Sequence, residues 1–162
     1  MGNGNKGVGL VTACVLAVAG AMASAEECRE DAVLLRSDAG MARFRVEVAD
    51  TKAERAQGLM NRETLSKSAG MLFVYPHPQR VGFWMKNTLI PLDIIFLDET
   101  GTVKKVHSEA KPLDETPIMG GNDIFAVLEI NGGLAGKIGI REGWQMRHPS
   151  FDRDTAAWPC DG

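Results

Sequence analysis

Residues 82–93 form the segment whose side chains are best suited to bind a ligand. Successive side chains of a strand point to opposite faces, so Trp84 and Lys86 face one way while Phe83 and Met85 face the other. An indole ring and an ammonium group on one face can pack against a sugar ring or another planar ligand. Alternatively, the tryptophan is half-buried under the lysine stem and serves only packing.

Three more polar residues are expected to contribute to the same site. Asn87 directly follows Lys86, and Arg55 and Arg62 lie together in one upstream segment. With Trp84 they would form a shallow polar site. The pattern therefore favours a non-enzymatic binding or envelope-accessory protein, whose ligand is an unidentified small molecule or a component of the cell envelope.

Two acidic residues, Asp93 and Glu129, stand in otherwise apolar runs, each between a leucine and an isoleucine. A carboxylate in such a run lies on the solvent-facing side of a strand or is buried with a partner. If both side chains reached one cleft, they could act as the general acid and base of a hydrolase of envelope polymers. Structural ion pairing, with Lys86 or Arg62, is the simpler interpretation. Asp93 and Glu129 are thus the candidates for catalytic residues, and whether the protein is an enzyme stays open.

Metal-binding chemistry has a weaker basis in the sequence. Thioethers are soft ligands suited to monovalent copper, although methionine more often fills a core. The methionines considered for a copper site are Met60, Met71, Met85 and Met119. The histidines, His77, His107 and His148, lie in three separate segments, and the motifs HExxH, CxxC and GxSxG are absent from the sequence. We therefore predict no metal and no cofactor, with periplasmic copper binding as an alternative function.

The N-terminus has the three parts of a secretory signal peptide, which are a charged start, an apolar run and a small-residue cleavage site. These are Lys6, residues 8–22 and the sequence Ala-Ser-Ala that ends at Ala25. We expect cleavage after Ala25, a periplasmic or secreted protein, and no stable membrane insertion of the cleaved chain. The alternative is a lipoprotein, because residues 11–14 resemble a lipobox that would acylate Cys14.

Two cysteines, Cys28 and Cys160, remain after this cleavage. An even pair in an oxidising compartment predicts a disulfide, here one that joins the two ends of the chain. The formal net charge of the full chain is −3, and it becomes −4 when Lys6 is removed with the signal peptide. This charge favours neither nucleic acid nor an anionic membrane surface as a partner. We expect a monomer.

Strand-like patterns dominate the remaining chain. Residues 42–48 alternate between apolar and charged types, which predicts a strand with one buried face. A capping box formed by Thr51 and Glu54 predicts a helix of about ten residues that ends at Met60 and buries one side. Further strands are predicted at 71–75, 81–85, 92–97, 103–107, 125–130 and 145–148, with a surface loop at 111–123 and a helical turn at Leu134–Ile138.

The resulting fold class is mostly β with a small α component. We expect a compact β-sandwich or a partly closed barrel with one or two short helices, and no parallel sheet, because strands and helices do not alternate regularly. The predicted organisation is a signal peptide at 1–25, an N-terminal lead segment at 26–41, one β-rich domain at 42–151 and a C-terminal tail at 152–162.

Four segments in this order and spacing resemble domain-of-unknown-function family 192, an uncharacterised protein family. They are ERAQGLMNR at 54–62, GMLF at 70–73, FWMKNTLIPLD at 83–93 and VLEINGG at 127–133. The resemblance covers about residues 44–147. It implies a compact, mostly β fold of sandwich or barrel type and frequent export in bacteria. It implies no established activity.

Overall fold

A computed structural model describes residues 1–2 and 28–160. The apolar run of the predicted signal peptide, the cleavage site after Ala25 and the lipobox cysteine Cys14 lie outside the described residues. Within these residues, seven strands and two short helices make up the fold, which is mostly β as predicted. In chain order they are β1 Ala32–Ser37, β2 Gly40–Ala49, α1 Lys52–Gln57, β3 Ala69–Phe83, β4 Leu92–Leu97, β5 Val103–Ala110, β6 Ile118–Asn131, α2 Leu134–Ile138 and β7 Gln145–Arg147.

The seven strands form one sheet in the order β5-β4-β6-β3-β2-β1-β7. Its two edge strands approach each other at the start of β5, where Thr102 and Gln145 form an isolated bridge. Backbone N–H groups of Val103 and Met146 extend this contact, donating to carbonyl oxygens at 2.8 Å in each case. The sheet therefore curls into a partly closed barrel, the second of the two predicted forms.

Two features of the sheet differ from the sequence-based expectation. Strands β2 and β3 are parallel, with α1 in the crossover between them, although no parallel pairing was expected. The crossover helix has only six residues, which is too short to give a clear helical period. Strand β1 lies within the predicted lead segment, residues 26–41, and pairs with both β2 and β7.

Strand β3 joins two segments that the sequence analysis treats as separate strands. It continues through Pro76–Pro78, and its pairing with β6 is irregular between Val74 and Gln79. Proline has no N–H to donate, so the hydrogen-bond ladder is interrupted there. The chain nevertheless keeps the direction of the strand. Strand β6 likewise begins at Ile118, inside the predicted loop, to pair with the end of β3.

Helix α1 has the predicted capping box but ends earlier than predicted. Thr51 Oγ1 accepts a hydrogen bond from the Glu54 backbone N–H at 3.2 Å, and Glu54 Oε2 accepts one from the Thr51 N–H at 3.1 Å. The helix stops at Gln57 because Gly58 adopts φ 48° and ψ −140°. None of its residues is buried, so the predicted apolar side of a longer helix is not formed.

Both faces of the central strands are buried, which creates two apolar clusters. The inner cluster fills the barrel and includes Leu72, Ile95 and Leu128. The outer cluster lies on the opposite face of the same strands and includes Met71, Phe73, Val81, Ile94, Phe96 and Val127. Leu59, from the loop after α1, and Met85, from the turn after β3, cover this outer face. The outer cover is therefore built from loops rather than from a long helix.

The predicted disulfide is present, and it joins Cys28 to Cys160 with a Cα–Cα distance of 5.5 Å. Arg147 Nε donates a hydrogen bond to Cys28 Sγ at 3.3 Å. The C-terminal segment is held nearby, since the Arg36 guanidinium lies 4.3 Å from the centre of the Trp158 ring. A disulfide of this kind is consistent with an extracytoplasmic location. Among the described residues, no helix is long and apolar enough to cross a membrane.

We expect thiol titration of the mature protein to find no free thiol when the chain is unfolded without reductant. Both cysteines are bonded to each other, so reduction before unfolding should release two thiols per chain. Mass spectrometry after alkylation measures both states. Two alkylated cysteines in the unreduced sample would show that the ends of the chain are not covalently joined.

Candidate functional site

A pocket of about 90 Å³ opens on the outer face of the sheet, between α1, the loop after it and the end of β3. Its wall consists of residues 55–60, Phe73, Tyr75, residues 82–84, Thr88 and Glu129. Ionisable and hydrogen-bonding side chains therefore meet aromatic rings at one place on the outer cluster.

Backbone conformation holds the two loops of the pocket together. Asn61 and Asn87 adopt the left-handed region, at φ 63° and 55°, which asparagine tolerates better than most residues. The Asn61 N–H donates to the Asn87 carbonyl oxygen at 2.8 Å, which ties the loop after α1 to the turn after β3. A Cβ on Gly58 would lie 3.2 Å from the Phe73 ring, so glycine allows the backbone after α1 to lie close to that ring.

Glu129 lies on β6, opposite Met71 of β3 and Ile94 of β4. Only 4 % of the residue is exposed, yet it lines the pocket. Among the residues that the structure describes, none donates a hydrogen bond to its carboxyl group. Burial raises the pKa of Glu129 to about 8, so the side chain is a neutral carboxylic acid at pH 7.

Arg55 and Tyr75 are two polar residues of the pocket wall, which also includes Gln57 and Thr88. Arg55 Nη1 donates to the backbone carbonyl oxygens of Val74, at 2.8 Å, and Asp50. Its guanidinium lies 5.1 Å from the centre of the Tyr75 ring. Burial raises the pKa of Tyr75, and no described residue hydrogen-bonds to its hydroxyl. These contacts fix one cation at the edge of the pocket.

Trp84 and Lys86 lie together, although the strand predicted at 81–85 ends at Phe83 and both residues belong to the turn after β3. Phe83 and Trp84, which alternation assigned to opposite faces, both line the pocket. The Lys86 ammonium is 5.2 Å from the centre of the Trp84 ring, and 48 % of Trp84 is exposed. Trp84 lines the pocket, whereas Lys86 adjoins it through this ring. Asn87 does not line the pocket, and its contribution is the turn described above.

Arg62 is not brought to the pocket. Its Nη1 and Nη2 donate to the two carboxylate oxygens of Glu47 at 2.5 and 2.6 Å. The Arg62 guanidinium in turn lowers the pKa of the Glu47 carboxyl. Of the two arginines in the predicted site, only Arg55 is therefore positioned to meet a ligand there.

Asp93 is fully buried, and its carboxylate accepts three backbone hydrogen bonds. Oδ1 accepts from the N–H groups of Glu109 and Gly133 at 2.8 Å, and Oδ2 accepts from Ala135 N–H at 2.7 Å. The partners are thus backbone groups, which differs from the ion pair that sequence analysis favoured. A short apolar strand next to a glycine-rich helix start offers N–H groups instead of a cation.

The structure does not bring Asp93 and Glu129 together. In the β4–β6 ladder, Asp93 is opposite Ile130, and Ile94 is opposite Glu129. Directly opposite residues share a face and successive residues alternate, so the two carboxyl groups point to opposite faces of the sheet. This geometry provides no pair of carboxylates for hydrolysis.

The methionines considered for copper lie in different surroundings. Met60 lines the pocket, Met71 and Met85 are buried in the outer cluster, and Met119 is partly exposed. Within the described residues, no group of three or more His, Cys, Asp or Glu side chains could hold a metal ion. Met71 and Met85 therefore serve packing and Met119 lies at the surface, which leaves Met60 alone of the four at the pocket.

Tyr75 and Phe73 are pocket residues that the sequence analysis did not identify. Their signal is present in the sequence, because Met71, Phe73 and Tyr75 follow the period of two along β3. Phe83 is only half-buried, and its ring contacts Phe73 edge-on at a centroid distance of 4.9 Å.

Comparison with known proteins places this geometry in a family. The model of domain-of-unknown-function family 192, described as an uncharacterised ACR, matches residues 33–148. The chain belongs to family 192. The match contains every residue that lines the pocket, so the pocket lies within the family domain.

Two solved structures of other proteins resemble the chain over most of its length. A protein of unknown function from Novosphingobium aromaticivorans is 44% identical, with a TM-score of 0.69, covering 71% of this chain and 82% of its own. A proposed transcription regulator from Sinorhizobium meliloti is 33% identical, with a TM-score of 0.70, covering 74% and 94%. None of the curated proteins compared matches the chain.

Proposed function

We propose that this family 192 protein is a non-enzymatic binding protein of the cell envelope, and that its pocket receives a polar group of a small molecule or envelope component. The observation that carries the proposal is Glu129. Buried polar groups in folded proteins almost always have hydrogen-bond partners. The Glu129 carboxyl group has no partner within the described residues and reaches an open pocket, so a ligand that enters there can supply one.

The size of the pocket supports a ligand that enters with one end only. Sites that enclose a whole small molecule measure roughly 300–1,000 Å³, whereas this pocket measures about 90 Å³. The rest of the ligand would lie against the exposed Trp84 ring, which suits the face of a sugar. The Lys86 ammonium lies over the same ring and would contact polar groups of the ligand.

The proposed location follows from the sequence and is consistent with the disulfide. We infer a periplasmic or secreted protein, cleaved after Ala25, that acts as a monomer. Acylation of Cys14 is the alternative and would tether the same domain to a membrane. Nothing in the charge of the chain favours nucleic acid as a partner.

The alternative functions have less support. A hydrolase needs a second carboxylate near Glu129, and none of the other described residues that line the pocket is acidic. A copper site needs several sulfur ligands in one place, and Met60 is the sole methionine among those lining residues.

Thermal shift measurements test the binding proposal directly. We expect soluble cell-wall fragments, a set of muropeptides and N-acetylated amino sugars, to raise the melting temperature of the mature protein, because ligands stabilise the state that binds them. Arg55→Met should abolish the shift, whereas Arg62→Met is a matched control that leaves it in place. If no fragment shifts the melting temperature at millimolar concentration, the proposal is wrong.

A further inference from the structure

We propose that the group received by this pocket is a carboxylate, so that the protein selects acidic ligands such as a lactyl-bearing sugar. The inference rests on the proposed binding function and names its ligand class. It is carried by the juxtaposition of the unpartnered Glu129 carboxyl, the Tyr75 hydroxyl and the Arg55 guanidinium around one small pocket.

The charge balance of the pocket favours an anion. Among the described residues that line it, Arg55 is the only one with a permanent charge. Lys86 adds a second cation at the edge through its contact with Trp84. The groups that face Glu129 are Tyr75 of β3, with Arg55 of α1 over its ring, and the apolar Met71 and Ile94 on the adjoining strands.

Hydrogen-bond capacity also matches a carboxylate. A neutral carboxylic acid and a phenol each carry one O–H donor, and a guanidinium carries five N–H donors. Only Arg55 Nη1 is used by carbonyl oxygens, so other guanidinium N–H groups remain for a ligand. Burial keeps Glu129 protonated at neutral pH and thus makes it a donor. Glu129, Tyr75 and Arg55 can therefore each donate to a ligand, which suits a group that only accepts.

A cationic ligand fits less well. An ammonium group would require Glu129 to ionise in a buried site, while Arg55 and Lys86 would repel it. A neutral hydroxyl could hydrogen-bond to Glu129, but Arg55 and Lys86 would not attract it by charge. The carboxylate is the group that uses all of these features together.

The test compares ligands of matched shape and different charge by isothermal titration. N-acetylmuramic acid, which bears a lactyl carboxylate, is measured against its methyl ester, against N-acetylglucosamine and against the cationic sugar glucosamine, and acetate is measured against acetamide. At about pH 6.5 we expect the acids to bind about tenfold or more tightly than the neutral partners. By about pH 9.5 that affinity should fall at least tenfold, because Glu129 loses the proton that it donates.

Two variants identify the groups responsible. Glu129→Gln retains an N–H donor and cannot ionise, so it should bind N-acetylmuramic acid within about threefold of wild type and lose the fall at high pH. Arg55→Met should weaken binding of the acid at least tenfold, with Arg62→Met as the unaffected control.

The outcomes separate this inference from the binding proposal. If the neutral sugars bind as tightly as the acid, the carboxylate preference is wrong while the binding function stands. If glucosamine binds best and Glu129→Gln abolishes its binding, the pocket recognises a cation and the inference is overturned. If neither these ligands nor muropeptides bind, both proposals fall.

Discussion

Replacing Asp93 with asparagine should lower the free energy of unfolding by about 3–5 kcal/mol, because hydrogen bonds to a buried charged acceptor are worth roughly 1.5–3 kcal/mol each. The carboxylate accepts three backbone N–H groups, from Glu109, Gly133 and Ala135. Asparagine keeps one acceptor oxygen and turns an NH2 group toward at least one of these donors. The variant therefore loses charge assistance and leaves a buried N–H unpaired.

The cost should be global, since Asp93 connects three elements. It lies on β4 and holds the end of β5 through Glu109 and the start of α2 through Gly133 and Ala135. In the described part of the chain, no other side chain caps the N-terminus of helix α2. Urea unfolding followed by circular dichroism should show a lower midpoint with an unchanged slope.

Lys86→Ala tests whether Lys86 forms an ion pair with Asp93. Lys86 stacks on Trp84, so its replacement should change stability by less than about 1 kcal/mol. The double-mutant cycle between Lys86→Ala and Asp93→Asn should show coupling below about 0.5 kcal/mol. Coupling above about 1 kcal/mol would indicate that the two side chains form a structural pair and would contradict the role assigned to Asp93.

The two carboxylates also show where sequence reasoning stops. Alternation along β3 assigns Met71 and Phe73 to one face and Leu72 to the other, as the two clusters show. Trp84 and Lys86 follow the end of that strand, so their contact is set by the turn and not by alternation. Whether Asp93 and Glu129 share a face depends on the register between β4 and β6. A shift of one residue between these strands would place the two carboxyl groups on the same face, and no local sequence pattern encodes that register.

The fold shows the same division between local and long-range information. The capping box at Thr51, the neighbouring strands β4 and β5, and the cysteine pair depend on short patterns or on composition, and the structure contains all of them. Strand β1 escapes prediction because Val33, Leu34 and Leu35 are all buried, which removes the alternation. The parallel β2–β3 pairing depends on contacts across the sheet that alternation cannot report.

Replacing Glu129 with glutamine should stabilise the protein, and the gain should grow with pH. The pKa of Glu129 is about 8 in the folded protein against an ordinary value of 4.5. Between these values the folded state keeps a proton that the unfolded state has lost, so wild-type stability falls as pH rises. A difference of this size corresponds to a loss on the order of 4–5 kcal/mol by about pH 9.

Glutamine removes this dependence because it cannot ionise, and its amide nearly matches the size of the carboxyl group. The two proteins should therefore have similar unfolding free energies near pH 4.5, and the variant should be more stable above pH 8. Burial lowers the pKa of His148 below its ordinary value of 6.5, and this gives the opposite slope between the two pKa values in both proteins. The difference between wild type and variant cancels that contribution.

Urea unfolding of both proteins at intervals between about pH 5 and about pH 9 measures this difference. Parallel curves across the range would mean that the Glu129 carboxyl is hydrated or paired in solution, and the pocket would lose its central donor. Diverging curves would show a carboxyl group kept at a cost to stability. Because Glu129→Gln fits the same space, the acid then has no packing role that an amide could not fill, and what distinguishes it from glutamine is a donor whose loss of a proton makes ligand binding depend on pH.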